Sequence, residues 1–283
     1  MTWKQTLSWR DWRRRVTNYV GLSLIWIIAL IACVPFFSVA YYVLKSGAPA
    51  LSWEFFSHLP APVGEVGGGM ANAIVGSGAI VLLGAVIGVP WGMFSGVYLA
   101  EFGVGRIAAI LRFCNDILAS IPSIIVGLFV YSLIVKPFRG FSGYAGAAAL
   151  AVIIIPVVAR TTEEILKLMP NHMREAGLAL GLPRWKVILR IVIPGSAGGI
   201  VTGIMLAIAR VAGETAPLLF TSFNNQFWAQ SLHEPTASLP VQIYTYAISP
   251  FAEWQAQAWA GALVLLVFVL LINLLTRLFF KRG

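Results

Sequence analysis

Long unbroken apolar runs dominate the pattern along this chain, and alternation of apolar and polar positions is rare. A bilayer core about 30 Å thick needs about 20 apolar residues per helix. Runs of that length predict helices over Val20–Leu44, Asn72–Leu99, Ala108–Val135, Tyr144–Leu166, Val187–Ala212 and Ala258–Phe280. A transmembrane barrel would instead alternate through short segments. The expected fold is all-α, a polytopic membrane protein with six transmembrane helices. No internal repeat of useful strength stands out. Basic residues before the first run resemble a signal peptide. That run is too long for a signal core and lacks a small-residue cleavage site, so it is read as a retained helix.

Charge sets the orientation. Cytoplasmic loops carry an excess of Lys and Arg. The N-terminal segment holds Lys4, Arg10, Arg13, Arg14 and Arg15, and the second inner loop holds Arg106 and Arg112. The third holds Arg160, Lys167, Arg174, Arg184, Lys186 and Arg190, and the C-terminus holds Arg277, Lys281 and Arg282. The outer loops carry Lys45, Lys136 and Arg139, and Arg210 stands apart. Both termini are therefore expected in the cytoplasm. The domain reading is a basic N-terminal segment over 1–19, helix 20–44, a periplasmic loop over 45–71 and a core over 72–280.

Composition agrees. Of 283 residues, 59% are hydrophobic and 11% charged, and mean hydropathy is +0.83. No soluble domain of this size has enough polar surface to cover that content. The net charge of +9 fits loop orientation and membrane lipid rather than nucleic acid. Cys33 and Cys114 lie in apolar runs, and His58, His172 and His233 are scattered. Neither a disulfide framework nor a metal site is expected.

Within the helices, Gly76, Gly78, Gly84, Gly88, Gly92 and Gly96 accompany Pro90. Close helix packing and a bent, pathway-lining helix both remain open. Ser120, Pro122 and Ser123 weaken the next helix. The first outer loop carries GEVGGGM (64–70), either a flexible turn or an anion cradle. The second is read as a loop over Glu214–Gln257. Aromatic residues such as Trp53, Phe227 and Trp254 suit an interfacial belt or a docking surface.

The inner segment MPNHMREAGLALGLPRWKVILRIVIPG (169–195) has its own grammar. Pro170 can open a short helix, Gly181 can close it in the left-handed region, and Pro183 can open the next. Met173, Ala176, Leu180 and Leu182 form one apolar face. Such a helix at a membrane surface needs lipid or protein against it. Glu175-Ala176-Gly177, then Gly181, then Ile191-Val192-Ile193-Pro194 resembles the EAA motif of ABC-importer permeases. Gly177 stands where that family has Ala, at a helix cost of up to about 1 kcal/mol, and Ile193 where it has Leu. By that resemblance Arg174, Glu175, Ala176, Gly177 and Gly181 form the contact with an ATPase, within a coupling loop over 169–194.

Residues 67–260 are similar to the phosphate-importer branch of that family. The matching stretches include GGGMANAIVGSG (67–78), RFCNDILASIPSIIVGLFVY (112–131) and TGIMLAIARVAGETAPLLFT (202–221). The resemblance implies a MetI-like permease of the bacterial inner membrane that moves phosphate inward by alternating access. Its implied partners are a second permease subunit as heterodimer, two copies of a cytoplasmic ATPase and a periplasmic phosphate-binding protein. No cofactor is implied. Another oxyanion, sulfate or molybdate, stays open as cargo. The chain lacks the Gly-Lys-Ser/Thr of a P-loop, so ATP hydrolysis falls to a partner and this chain is expected not to be an enzyme.

Arg210 and Glu214, four residues apart near the end of an apolar run, are the candidate chemistry. A charge in lipid costs several kcal/mol. Either Arg210 snorkels to the outer interface, or it faces a cavity, paired with Glu214. The second reading makes Arg210, Glu214 and Thr215 the substrate pathway, because the guanidinium fork matches an oxyanion. Asn72, Ser77, Ser120 and Ser123 either line the path or pack helices, and the Thr215 and Thr221 hydroxyls either face the anion or bond the backbone. Arg112 and Asp116, four residues apart, are read as an interfacial ion pair, with a gating role as the alternative.

Overall fold

The computed structural model describes residues 9–62, 65 and 67–280. Lys4, Gly64, Lys281 and Arg282, named above, lie outside them. The regular structure of the described residues is helical, with no strand among them. The elements are α1 (Trp9–Gly47), α2 (Trp53–Ser57), α3 (Ala71–Glu101), α4 (Arg106–Ser120), α5 (Ser123–Val130), α6 (Lys136–Phe138) and α7 (Gly143–Leu168). There follow α8 (Asn171–Ala179), α9 (Arg184–Val187), α10 (Ile193–Gly195), α11 (Ala197–Val211), α12 (Ala216–Thr221), α13 (Leu239–Ala247) and α14 (Ala252–Phe280).

Four of these helices are long and apolar enough to span a membrane, and six spans result if each of two bent pairs counts as one. The first helix starts well before Val20, so Arg13, Arg14 and Arg15 lie on α1 rather than on a separate leading segment. At 1.5 Å per residue α1 is about 58 Å long, more than the hydrocarbon core. Its basic first turns therefore project beyond the hydrocarbon. It is exposed along most of its length and meets α14 at its end, where Tyr42 and Trp259 make an edge contact at 5.1 Å.

The centre of the fold is the seam between α3 and α7. Gly84, Gly88, Gly92 and Gly96 recur every fourth residue and lie on one face of α3. A Cβ on Gly92 would sit 2.8 Å from the Ile155 carbonyl oxygen and from Val158 Cβ. At Gly96 it would meet the Ala159 carbonyl at 2.5 Å. These glycines serve backbone approach, and α3 runs on through Pro90 as one helix. Gly92→Val is expected to lower stability by about 1–3 kcal/mol through overpacking. Gly78, with nothing within 4 Å of its would-be Cβ, should accept Ala without loss. Thermal midpoints of the two variants in detergent check the contrast.

The span expected over Ala108–Val135 is broken. Pro122 pushes Ile121 to φ −65°, ψ 129°, outside the helical region, so α4 stops and α5 starts on a new axis. The two halves bend by 102°. The span expected over Val187–Ala212 starts earlier, at Arg184, and bends by 71° beside Ser196. Both contain a π-helical turn, Tyr131–Val135 and Ile188–Val192, placed just before Pro137 and Pro194. Proline clashes with the carbonyl four residues back, and widening the turn relieves the clash. Accordingly the Lys136 N–H bonds Tyr131 O and the Ile193 N–H bonds Ile188 O, each five residues back.

The region read as a long outer loop, 214–257, is a packed element. It forms α12 and α13, and Thr221, Ser238, Gln242 and Tyr246 are buried. Asn72 Nδ2 donates to Asn225 O at 2.6 Å, and the Leu239 N–H donates to Ser77 Oγ at 2.6 Å. Asn72 and Ser77 thus fasten this element to the start of α3. Gln257 Nε2 donates to Gly67 O at 2.6 Å, so part of the glycine stretch is fixed against α14.

Candidate functional site

Arg210 lies in the last turn of α11. The Gly213 N–H bonds Arg210 O at 3.2 Å and the Glu214 N–H bonds Val211 O at 3.1 Å, so the chain turns away before Glu214. The expected helical pair does not form, and no ion pair joins the two side chains. Both instead line one cavity of about 260 Å³, together with Ser120, Pro122 and Ser123 at the α4–α5 break. Ile153 and Val157 of α7 form its apolar wall. Arg210 is exposed and Glu214 half-buried. Breaking the helix at Pro122 also leaves amide N–H groups at the start of α5 without helical partners. A guanidinium, two serine hydroxyls and the start of α5 therefore share the cavity with one carboxylate, Glu214, so it holds both donors suited to an anion and a negative charge.

Thr215 caps α12, half-buried, and is not among the residues that line this cavity. The Thr221 hydroxyl donates to Pro217 O at 2.7 Å and serves the backbone. Ser120 Oγ likewise donates to Ile117 O at 2.8 Å, yet its side of the break still lines the cavity. Gly127 gives α5 close approach to Pro217, which holds the broken half against α12.

The second candidate is the segment from Met169 to Gly195. Pro170 precedes α8 as its N-cap, one position earlier than expected. Gly181 closes the helix at φ 77°. The Leu182 N–H bonds Gly177 O at 3.3 Å and the Gly181 N–H bonds Leu178 O at 2.9 Å, the two bonds of a Schellman motif. Gly177 is buried, and a Cβ there would lie 2.7 Å from Ile191 Cδ1. The glycine admits α8 against the following helix, beyond any cost to helix propensity. Met173, Glu175, Ala176, Leu178 and Leu180 are exposed. The face expected to be apolar thus points away from the core, with Leu182 half-buried at its edge.

Arg174 does not share that outward face. Its Nε and Nη2 donate to Glu101 Oε1 at 3.0 and 2.8 Å. Arg174 Nη1 donates to Met169 O and Nη2 to Leu166 O, both at 2.7 Å. Sequence reasoning missed Glu101. Its one signal was a carboxylate that ends a long apolar run.

Arg112 does not pair with Asp116. Its Nε donates to Glu163 Oε1 at 2.8 Å, and its Nη2 donates to Leu99 O and Gly103 O. The Glu163 side chain is only 10% exposed, so the cation across the seam is its compensation. Asp116 faces Arg160 instead, at 3.7 Å. Cys33 and Cys114 are free, and no metal-binding cluster exists among the described residues.

Two bent spans, a helix α8 with an exposed apolar face and a polar cavity at a helix break occur together in one all-helical arrangement. The family model of the binding-protein-dependent transport system inner membrane component matches residues 88–282, and the chain belongs to that family. The phosphate transport system permease protein PstA of Yersinia pestis is 48% identical over 281 residues, covering 97% of this chain and 92% of that protein. The protein of the same name from Haemophilus influenzae is also 48% identical, covering 99% of each chain. A bacterial alginate ABC transporter, solved with its pentasaccharide-bound periplasmic protein, has the same fold. Its TM-score is 0.60 at 16% identity, covering 97% of this chain and 99% of the matched chain.

Proposed function

We propose that the chain is a permease subunit of an ATP-driven importer that carries inorganic phosphate from the periplasm to the cytoplasm. The observation that carries this reading is the free Arg210 guanidinium in the cavity at the α4–α5 break. The names of the relatives select phosphate over sulfate or molybdate. Arg210 receives two phosphate oxygens through its fork. Ser123 and the first amides of α5 add donors around the same space. Glu214 adds a fixed negative charge that weakens retention, since conduction needs a site that attracts without holding. Thr215 acts only at the edge of this path.

The remaining parts follow the family plan. A PstC-like second permease faces this chain as heterodimer. Of two PstB-like ATPases in the assembly, one docks on the outward face of α8 through Glu175 and Ala176, and a PstS-like periplasmic protein delivers phosphate. The chain sits in the bacterial inner membrane with both termini in the cytoplasm. The loop over 45–71 is periplasmic and the coupling loop over 169–194 cytoplasmic. The test is ATP-dependent uptake of labelled phosphate by proteoliposomes carrying the four-component complex. Uptake should withstand excess sulfate. Equal suppression by sulfate would replace phosphate with a general oxyanion.

A further inference from the structure

Glu101 has no part in the pathway or in the outward face of α8, yet its carboxylate is nearly closed off, at 5% exposure. It ends α3, and two separate arginines of the coupling segment converge on it. Arg174 of α8 reaches its carboxylate with two nitrogens, and its own side chain is 19% exposed. Arg184, at the start of α9, donates through Nη2 to the Glu101 carbonyl and lies over the Phe102 ring at 4.5 Å. Arg174 also holds Leu166 O and Met169 O at the end of α7. The ends of α3 and α7 and both limbs of the coupling segment therefore meet around Glu101: Arg174 holds its carboxylate and the end of α7, and Arg184 its backbone carbonyl.

We infer that Glu101 and Arg174 are positioning residues that lock the coupling helix to the α3–α7 pair. This rests on the reading of α8 as the ATPase contact. A displacement imposed on α8 reaches α3 and α7 without slack, because the guanidinium bridges all three. The glycine seam between α3 and α7 then moves as one body. Val157 and Ile153 of α7 line the Arg210 cavity, so that body includes one wall of the path. Lysine at 174 keeps the charge but lacks the planar fork, so it cannot hold the carboxylate and two carbonyls together.

The experiment compares Glu101→Gln, Arg174→Gln and Arg174→Lys in the complete reconstituted transporter. The readout is phosphate moved per ATP hydrolysed. A latch predicts a fall in that ratio of about tenfold, within the usual range of coupling energies, while hydrolysis per assembled complex persists. Arg174→Lys should fall in between. If uptake and hydrolysis drop together with the ratio unchanged, the role is structural and the inference is overturned. Should the glutamine variants not assemble, Arg174→Lys decides, and a wild-type ratio there also overturns it. Failure of the functional reading looks different: the wild-type complex itself would show no ATP-driven phosphate uptake.

Discussion

Arg210→Ala is expected to lower ATP-driven phosphate uptake by about 10–100-fold. A hydrogen bond to a charged group contributes about 1.5–3 kcal/mol, and each 1.36 kcal/mol in a barrier is tenfold in rate. The side chain is exposed at the end of α11 and has no ion-pair partner among the described residues. Its removal therefore strands no buried carboxylate, and the fold should persist. The loss should appear in uptake and not in the amount of complex recovered. Arg210→Lys should restore part of the rate, since an ammonium attracts the anion but cannot grip two oxygens at once. Labelled phosphate uptake, normalised to assembled complex, measures both.

Glu175→Ala has the second largest expected effect, with a different signature. Glu175 is exposed on the outward face of α8 and forms no ion pair among the described residues. Exposed substitutions of this kind usually change stability by less than about 0.5 kcal/mol, so the thermal midpoint should stay at the wild-type value. Communication between two sites is typically carried by 1–3 kcal/mol, or about 5–150-fold. Uptake should fall within that range while hydrolysis continues. Wild-type uptake would remove Glu175 from the ATPase contact. Arg174 lies beside Glu175 in sequence but points inward, so its variants also loosen the joint to α3 and should lower thermal stability. The adjacent positions thus separate contact with a partner from attachment to the core.

The long helices were legible because apolar runs of bilayer length have few other solutions. The Asn72–Leu99 and Tyr144–Leu166 expectations fall inside α3 and α7 with one or two residues to spare at each end. The closing cap at Gly181 was legible because a left-handed position has a specific residue signature. The break at Pro122 was visible only as a weakness. Hydropathy runs straight through it, and the 102° turn comes from extended backbone at Ile121 and Pro122. The α12–α13 region escaped because its helices are short and α13 carries Gln242, Tyr244, Thr245 and Tyr246. Their burial is a property of packing, which periodicity does not encode.

Ion pairing was the least legible feature. Spacing suggested Arg112 with Asp116 and Arg210 with Glu214, both four residues apart. The first failed because Arg112 finds a more buried carboxylate on α7, at Glu163. The second failed because α11 stops before Glu214. The same spacing does produce contacts where the helix continues, in Arg160 with Glu164 at 3.0 Å and Lys167 with Glu163 at 2.5 Å. Local spacing is informative only if the helix is unbroken and no stronger partner lies across the seam. Arg174 with Glu101 shows the second condition at its extreme, joining residues far apart in sequence.

The most direct measurement is a side-chain-resolved map of the assembled transporter in a lipid nanodisc. The guanidinium at the end of α11 and the serines flanking Pro122 should open on a watery passage between the two permeases. Finding that guanidinium among phospholipid headgroups, outside the junction of the subunits, would contradict the account.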